Sequence, residues 1–103
     1  MATSSSRAPR FSVPLSLRYR SIGATHWQEG RIENISRSGV LFRTEHLLAV
    51  DTPVEMSFVL PLGGMKPGIA CRGRVVRTVQ PKADHALPGL AATISTYQFV
   101  QKS

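Results

Sequence analysis

The amino-acid sequence predicts an all-β fold in which six short antiparallel strands close into a small barrel. Two observations favour it: apolar and polar residues alternate in several short segments, and connections rich in glycine and proline separate these segments at fairly regular spacing. No long segment shows the periodicity of an amphipathic helix. Closure into a barrel is favoured because it leaves no exposed sheet edge.

The first strand is predicted in "SVPLSLRYRS", where every second residue is apolar: Val13, Leu15, Leu17 and Tyr19. This alternation is typical of a half-buried strand, and Pro14 fits the beginning of a strand or a sheet edge. The second strand candidate, "HWQEGRIENI", is less regular, and Gly30 is predicted to mark a bulge. A third short strand is expected in "VLFRT" because its residue types favour strands.

The second half of the chain contains three further strand candidates. "PVEMSFVLP" alternates again, "LGGMKPG" is typical of a turn, and "IACRGRVVRTV" predicts a long strand in which Gly73 permits a bend or bulge. After the loop "QPKADHALP", the segment "GLAATIS" predicts the last strand. Ser95 and Gln98 have the spacing of a helix-capping box, so at most one short helix is expected at the C-terminus.

The length of the chain, 103 residues of which 42% are hydrophobic, fits one small globular domain. Residues 1–10 are small, polar and basic, and this composition predicts a flexible N-terminal arm. Residues 11–103 are predicted to form the barrel domain. There are no internal repeats.

The charge of the chain predicts a negatively charged partner. Thirteen Lys and Arg residues against six Asp and Glu residues give a formal net charge of +7. The first carboxylate in the sequence is Glu29, so the N-terminal part is the most electropositive. Four arginines precede this carboxylate: Arg7, Arg10, Arg18 and Arg20.

We expect a soluble, cytoplasmic protein. Cys71 is the only cysteine, which excludes an internal disulfide and favours a reducing compartment. The start, "MATSSSRAPR", lacks the apolar core of a signal peptide, and no later run approaches the length needed to insert into a membrane.

Catalytic and metal-binding patterns are not found in the sequence. The three histidines, His26, His46 and His85, lie in predicted turns and loops without metal-ligand spacing. Glu29 and Glu33 alternate with Arg31, which indicates charge pairing at the surface. No nucleophile has an assigned base, and no glycine-rich phosphate loop precedes a helix. The sequence therefore predicts a protein that is not an enzyme and has neither a cofactor nor a metal.

The segment "NISRSG" places Asn34, Ser36 and Gly39 between the second and third strands. A simple hairpin turn explains these residue types, because Asn and Ser bond to nearby backbone groups and Gly39 can adopt a positive φ. The context favours a binding site, because the motif lies near the middle of the strand pattern and an arginine-bearing arm precedes the first strand.

Several segments together resemble the PilZ domain family. The similarity is carried by "RAPRFSVPLSLRYR", "GRIENISRSGVLF", "DTPVEMSFVLP", "CRGRVVRT" and "GLAATI", and extends from Arg7 to about Phe99. PilZ domains are six-stranded antiparallel β-barrels, often followed by a helix, and are typically receptors for the bacterial second messenger cyclic di-GMP. The resemblance implies a bacterial protein that binds this dinucleotide, changes conformation and signals to a partner protein.

The resemblance also implies site residues. The family's second motif is Asp or Asn, any residue, Ser, two residues, Gly, and Asn34, Ser36 and Gly39 match it. The first motif is two arginines separated by three residues, whereas two residues separate Arg7 from Arg10. The ligand-binding residues implied are Arg7, Arg10, Asn34, Ser36, Arg37 and Gly39.

Cyclic di-GMP carries two guanine bases and two phosphates, and these residue types suit it. An arginine fork can bond to guanine O6 and N7, bond to phosphate oxygens or stack on a base. Asn34 can donate to and accept from a guanine edge, Ser36 can bond to a base or phosphate, and Gly39 allows close approach. Arg37 is equally suited to a phosphate contact and to a solvated surface role. Three later arginines are interpreted as an exposed strand face and loop edge: Arg72, Arg74 and Arg77.

Two other functions remain open. The shortened arginine spacing is compatible with a PilZ-like domain that has lost its ligand and binds a protein partner. A basic β-barrel can also bind RNA or single-stranded DNA through basic grooves and stacked aromatic residues. Nucleic acid ranks third, because only 7% of the residues are aromatic and Tyr19, Phe42 and Phe58 fall on faces expected to be buried.

Overall fold

The computed structural model describes residues 15–60, 64 and 67–100, and within them the chain forms seven β-strands and no helix. None of the described residues therefore belongs to a helix that could cross a membrane. The predicted arm, residues 1–10, lies outside the described residues. The strands are β1 (Leu15–Ser21), β2 (Gln28–Ser36), β3 (Gly39–Arg43), β4 (Pro53–Val59), β5 (Gly68–Val79), β6 (Gly89–Thr93) and β7 (Thr96–Val100).

Six of these strands form a closed antiparallel barrel in the order β1-β2-β3-β6-β5-β4. The barrel closes because β4 pairs with β1 along one edge and with β5 along the other. The predicted six-stranded antiparallel barrel is confirmed. β7 is an additional strand, which pairs with β5 outside the closed ring.

The core follows the alternation of apolar residues in the strands. In β4, Val54, Met56 and Phe58 are buried while the residues between them are half-buried. In β1, Leu17 and Tyr19 are buried, as the alternation predicts. The fully buried side chains lie on all six barrel strands and on the residue that follows β3: Tyr19, Phe42, Leu17, Ile32, Met56, Leu90, Val54, Val75 and Thr44.

The bulge in β2 lies next to Glu33, and the prediction that Gly30 marks it is wrong. The β2–β3 register shifts between Ile32 and Asn34, whereas Gly30 pairs regularly with Leu17. A side chain at Gly30 would collide with the side chains of Phe42 and Leu17, because its Cβ would lie 2.8 and 2.9 Å from them. The glycine therefore provides space for two core side chains.

The expected C-terminal helix is also wrong, because residues 96–100 form β7. The first half of β5 has an edge that neither β4 nor β6 occupies, and β7 pairs there in the register Thr96↔Arg72 to Val100↔Gly68. The hydroxyl of Ser95, predicted to cap a helix, donates instead to the carbonyl of Arg72 at 3.0 Å. Backbone pairing with β5 replaces the local bonds of a helix.

Gly73 lies where the chain passes from β6 to β7 across the middle of β5. A Cβ at Gly73 would lie 1.6 Å from the carbonyl oxygen of Thr93. On either side of the crossing, the Arg74 N–H donates to Thr93 Oγ1 at 3.1 Å and the Ser95 N–H donates to the Arg72 carbonyl at 2.8 Å. The predicted irregularity at Gly73 thus takes the form of a close backbone contact, and the register shift in β5 lies between Val75 and Arg77.

A polar cluster inside the barrel joins β1 to the segment after β3. Tyr19 is fully buried, and its hydroxyl lies 2.6 Å from Thr44 Oγ1 and donates to the His46 carbonyl. The His46 N–H in turn donates to Thr44 Oγ1 at 3.2 Å. Burial is the largest cause of the raised pKa of Tyr19, which keeps the phenol protonated as a donor.

We expect Tyr19→Phe to lower the free energy of unfolding by about 1–2 kcal/mol, because it removes the hydroxyl and leaves Thr44 and the His46 carbonyl with fewer partners. Urea denaturation measures this change. Tyr97→Phe is the matched control, because Tyr97 is exposed and its hydroxyl is expected to contribute less than about 0.5 kcal/mol. Equal stability of the two variants would contradict a structural role for the cluster.

We expect Gly73→Ala to lower the free energy of unfolding by about 2 kcal/mol or more, because its Cβ collides with backbone that cannot rotate away. Thermal denaturation of Gly73→Ala and Gly64→Ala gives the comparison. A Cβ at Gly64 would meet no atom within 4 Å, so this control should keep the parent melting temperature. A Gly73→Ala protein as stable as the parent would refute the close crossing.

Candidate functional site

The motif residues lie at the end of the β2–β3 hairpin. Ser36 pairs with Gly39 as the last pair of the ladder, and Arg37 and Ser38 form a two-residue exposed turn. Asn34 lies two residues earlier in β2, opposite Leu41. The structure therefore brings together the four predicted residues that it describes, whereas Arg7 and Arg10 lie outside the described residues.

The bulge next to Glu33 turns Asn34 and Ser36 toward the outer surface of the barrel. Ile32 and Ile35 are both buried although they are three positions apart along the chain, an odd number. In a regular strand with Ile32 inside, Asn34 and Ser36 would also point inward, because side chains alternate with a period of two. The extra residue reverses this alternation, and both polar side chains are half-buried on the outer face.

Gly39 does not have the positive φ that the sequence analysis allowed. Among the described residues, positive φ angles occur at Gly23, Asp51 and His85. The constraint at Gly39 is close packing, because its Cβ would lie 3.2 Å from the carbonyl oxygen of Ala92 in β6. The glycine thus lets β6 approach the hairpin, and it leaves the outer surface beside Ser36 without a side chain.

The strand registers extend this surface across the barrel. Asn34 pairs with Leu41, Leu41 with Ala91 and Ala91 with Arg77, which forms one row across β2, β3, β6 and β5. The neighbouring row contains Ser36, Gly39 and Thr93. We call this surface the hairpin face, and its residues are Asn34, Ser36, Gly39, Leu41, Arg77, Ala91 and Thr93.

Three residues of the hairpin face, Ser36, Gly39 and Ala91, have a small side chain or none, so side chains project little from that part of the surface. Arg77 is exposed at the β5 end of the face, about three strand spacings or roughly 14 Å from Asn34. The sequence analysis assigned Arg77 to a general exposed surface. Its place in the same row as Asn34 depends on pairings between β3, β6 and β5, so no local sequence signal could have revealed it.

The polar side chains of the hairpin face differ in their partners, since the Thr93 hydroxyl bonds to the Arg74 backbone. Within the described part of the chain, the side chains of Asn34 and Ser36 make no hydrogen bond to another residue. β1 begins opposite this region, because Leu15 pairs with Ile32. The first described residue of β1 therefore lies at the end of β2 that bears Asn34.

Glu33 is the carboxylate nearest to the hairpin face in sequence, and two cations neutralise it. Its oxygens lie 2.8 Å from Lys82 Nζ and 2.7 Å from Arg43 Nε. The hydrogen bonds from Lys82 and then Arg43 lower the pKa of Glu33. Arg43 also donates to the Gln80 carbonyl at 3.0 Å, which ties the β5–β6 loop to the hairpin. The charge pairing expected at the surface thus occurs for Glu33, with Arg43 and Lys82 as its partners.

A second group of cations lies on β1 and β5 around Glu55 of β4, away from the hairpin face. Glu55 accepts from Arg20 at 2.8 Å and from Arg72 at 3.3 Å. The hydrogen bond from Arg20 is the largest cause of the lowered pKa of Glu55. The guanidinium groups of Arg18 and Arg20 lie 5.3 and 4.2 Å from the centre of the Trp27 ring. Arg20 and Arg72 are therefore already engaged with protein groups.

The described residues contain no group of three or more His, Cys, Asp or Glu side chains that could hold a metal ion. Cys71 is buried, and this burial raises the pKa of its thiol to about 11. A thiol with this pKa is almost entirely protonated at neutral pH and is a poor nucleophile.

Comparison with protein families identifies the family of the chain. The family model of the PilZ domain matches residues 4–98, which is most of the chain. This range includes the hairpin motif and both Arg7 and Arg10. No curated protein matches the chain.

A solved structure with the same fold is the Bacillus subtilis inhibitor of motility, MotI/DgrA. The two structures are similar with a TM-score of 0.75 at 12% sequence identity. The similarity covers 91% of this chain and 44% of that chain, so the present chain spans less than half the length of its structural neighbour. At this identity, the likeness establishes the fold alone.

We expect the free energy of unfolding to decrease as the pH falls below about 4.5, the usual pKa of a glutamate. The folded-state pKa of Glu33 is lowered, so its stabilising contribution is present above the unfolded-state pKa and is lost as the pH falls through the folded-state pKa. Denaturation of the parent and of Glu33→Gln between pH 7 and pH 3 measures the effect. The difference between the two proteins should shrink toward low pH.

Glu45→Gln is the control for this pH series. Glu45 is exposed and forms no ion pair with another described residue. Its substitution should change stability little at any pH. A constant difference between the parent and Glu33→Gln across the pH range would show that the Glu33 ion pairs do not stabilise the fold.

Proposed function

The chain belongs to the PilZ domain family, and we propose on that basis that it is a receptor for cyclic di-GMP that passes the binding signal to a partner protein. The observation that carries the proposal is the bulge next to Glu33, which turns Asn34 and Ser36 outward. The family motif of Asn34, Ser36 and Gly39 is thereby presented on one accessible surface. The residues proposed to bind the dinucleotide are Arg7, Arg10, Asn34, Ser36, Arg37 and Gly39.

The hairpin face has the chemistry of a guanine and phosphate site. The amide of Asn34 offers a donor and an acceptor to a guanine edge, and Ser36 offers a hydroxyl beside it. Gly39 leaves room for a flat base above the backbone. Arg37 in the turn and Arg77 at the opposite end of the face supply positive charge, and Glu33 is already neutralised by Lys82 and Arg43.

The N-terminal arm supports the proposal because it carries two arginines and because it is long enough to bring them to the hairpin face. Arg10 lies five residues before Leu15, and a fully extended segment of this length spans at most about 18 Å. The Asn34 end of the hairpin face lies one strand away from Leu15, roughly 5 Å in the pairing direction, so the segment is long enough to bring Arg10 to that end. We propose that residues 1–10 form a separate arm that becomes ordered over residues 11–103 when the two arginines contact the ligand.

The ordering of the arm predicts a moderate affinity and a signalling mechanism. Part of the binding free energy is lost to the ordering of the arm, so a dissociation constant on the order of micromolar is expected. The arm changes from free to bound, and this change is what a partner protein would detect. We place this event in the cytoplasm of a bacterium, where the messenger is made.

A second candidate function is a protein-interaction domain that does not bind the nucleotide. The spacing of Arg7 and Arg10, one residue shorter than the family pattern, favours it. In this case both arginines are dispensable for partner binding. Nucleic-acid binding is the third candidate. The rings of Tyr19, Phe42 and Phe58 are buried and unavailable for base stacking, and the exposed rings on β7 lie on a strand without cations to bind phosphates.

The test is titration calorimetry of the full chain with cyclic di-GMP, with GMP and cyclic di-AMP as controls. We expect binding of cyclic di-GMP and no binding of GMP or cyclic di-AMP. We expect Asn34→Ala to weaken the binding of cyclic di-GMP about 5- to 150-fold, which corresponds to about 1–3 kcal/mol. Ser36→Ala should also weaken binding. Deletion of residues 1–10 should abolish it while the barrel stays folded.

Ser57→Ala is the matched control, because Ser57 is half-buried on the outside of β4, as Ser36 is on β2, but does not belong to the hairpin face. The Ser57→Ala protein should bind cyclic di-GMP with the affinity of the parent. Absence of heat with cyclic di-GMP would reject the receptor and favour the protein-interaction domain. Salt-sensitive binding of unrelated oligonucleotides, without competition by cyclic di-GMP, would favour nucleic-acid binding.

A further inference from the structure

β7 has the features of an interface strand. It pairs with β5 along one edge, and within the described residues no strand pairs with its other edge. Tyr97 and Phe99 are 53% and 64% exposed, and their rings are in contact at a centroid distance of 6.3 Å. Edge strands of soluble proteins are usually protected by charged residues or proline. The sequence of β7, TYQFV, contains neither.

The sequence of β7 is nearly symmetric about Gln98. One residue away on either side is an aromatic residue, Tyr97 or Phe99, and two residues away is a β-branched residue, Thr96 or Val100. In an antiparallel pair of two such strands centred on Gln98, each Tyr97 faces the Phe99 of the other copy. Aromatic cross-strand pairs and β-branched pairs both stabilise antiparallel ladders.

We propose that β7 is a self-association surface, through which two copies of this chain pair their β7 strands antiparallel about a two-fold axis at Gln98. The interface is isologous, so each copy contributes the same strand and the assembly stops at two. Four aromatic rings then form one apolar cluster on one side of the joined sheet. The same pairing covers the outer edge of β7 in both copies.

The charge distribution favours a second copy as the occupant of this edge. Each chain has a net charge of +7, and two such chains repel one another unless they meet at a neutral surface. β7 is uncharged. Arg72, which pairs with the first residue of β7, lies 3.3 Å from Glu55 and shares this carboxylate with Arg20, so its charge is offset in part. β7 is therefore a strand along which two copies can approach without direct charge repulsion.

A single pair of five-residue strands is a small interface, so the dimer is expected to be weak and concentration-dependent. Sedimentation velocity without nucleotide, from micromolar to millimolar protein, measures it. We expect a monomer at the low end and a dimer at the high end. Phe99→Lys should weaken dimerisation at least about tenfold, because it places a cation in the aromatic cluster of each copy.

Val76→Lys is the matched control. Val76 is 46% exposed on β5 and lies outside the β5–β7 pairing, so this substitution adds the same charge and should leave dimerisation unchanged. A protein that stays monomeric at every concentration, or a dimer that Phe99→Lys does not weaken, would overturn the proposal. Since the measurement omits the nucleotide, its result does not depend on whether cyclic di-GMP binds.

Crosslinking tests the register. In the proposed dimer, a cysteine replacing Gln98 faces its own copy at about 5 Å, whereas a cysteine replacing Thr96 lies four residues, or about 14 Å, from its copy along the strand. A bis-maleimide shorter than 14 Å should couple Gln98→Cys and not Thr96→Cys. The buried Cys71 makes the parent an unreactive control. Crosslinking of Thr96→Cys but not Gln98→Cys would reject this pairing.

Discussion

The architecture depends on β5, which pairs with three other strands. β4 pairs with it along one edge and closes the barrel, while β7 and β6 follow each other along its other edge. The chain passes from β6 to β7 at Gly73, where the Thr93 carbonyl occupies the space that any side chain would need. One glycine in a twelve-residue strand therefore allows a closed barrel and a strand outside it to share the same neighbour.

The hairpin face depends on a second irregularity, the extra residue in β2. The bulge lets Ile32 and Ile35 both face the core, and it presents Asn34 and Ser36 outside. The bulge also brings Glu33 to Arg43 and Lys82, so one feature orients the polar pair and neutralises the nearest carboxylate. Bulges are common beside binding sites because they redirect side chains without breaking the sheet.

The few carboxylates of this basic protein are used to hold strands and loops together. Glu33 joins the hairpin to the β5–β6 loop through Arg43 and Lys82, and Glu55 joins β1 to β5 through Arg20 and Arg72. Positive charge is left at the hairpin turn, while β7 carries no charge. The proposed ligand surface and the proposed self-association surface therefore differ in electrostatic character and lie on different strands.

The sequence alone determined the six barrel strands, most of their alternating core faces and the hairpin that carries Asn34, Ser36 and Gly39, because these features depend on neighbouring residues. The tertiary structure decided the rest. The bulge lies next to Glu33 and not at Gly30, the last segment is a strand and not a helix, Glu33 pairs with distant cations, and Arg77 shares a row with Asn34. Each of these features depends on pairing between strands that are distant in the chain. The secondary-structure preferences of neighbouring residues do not determine which strand edge or which charged partner is brought close in the folded protein.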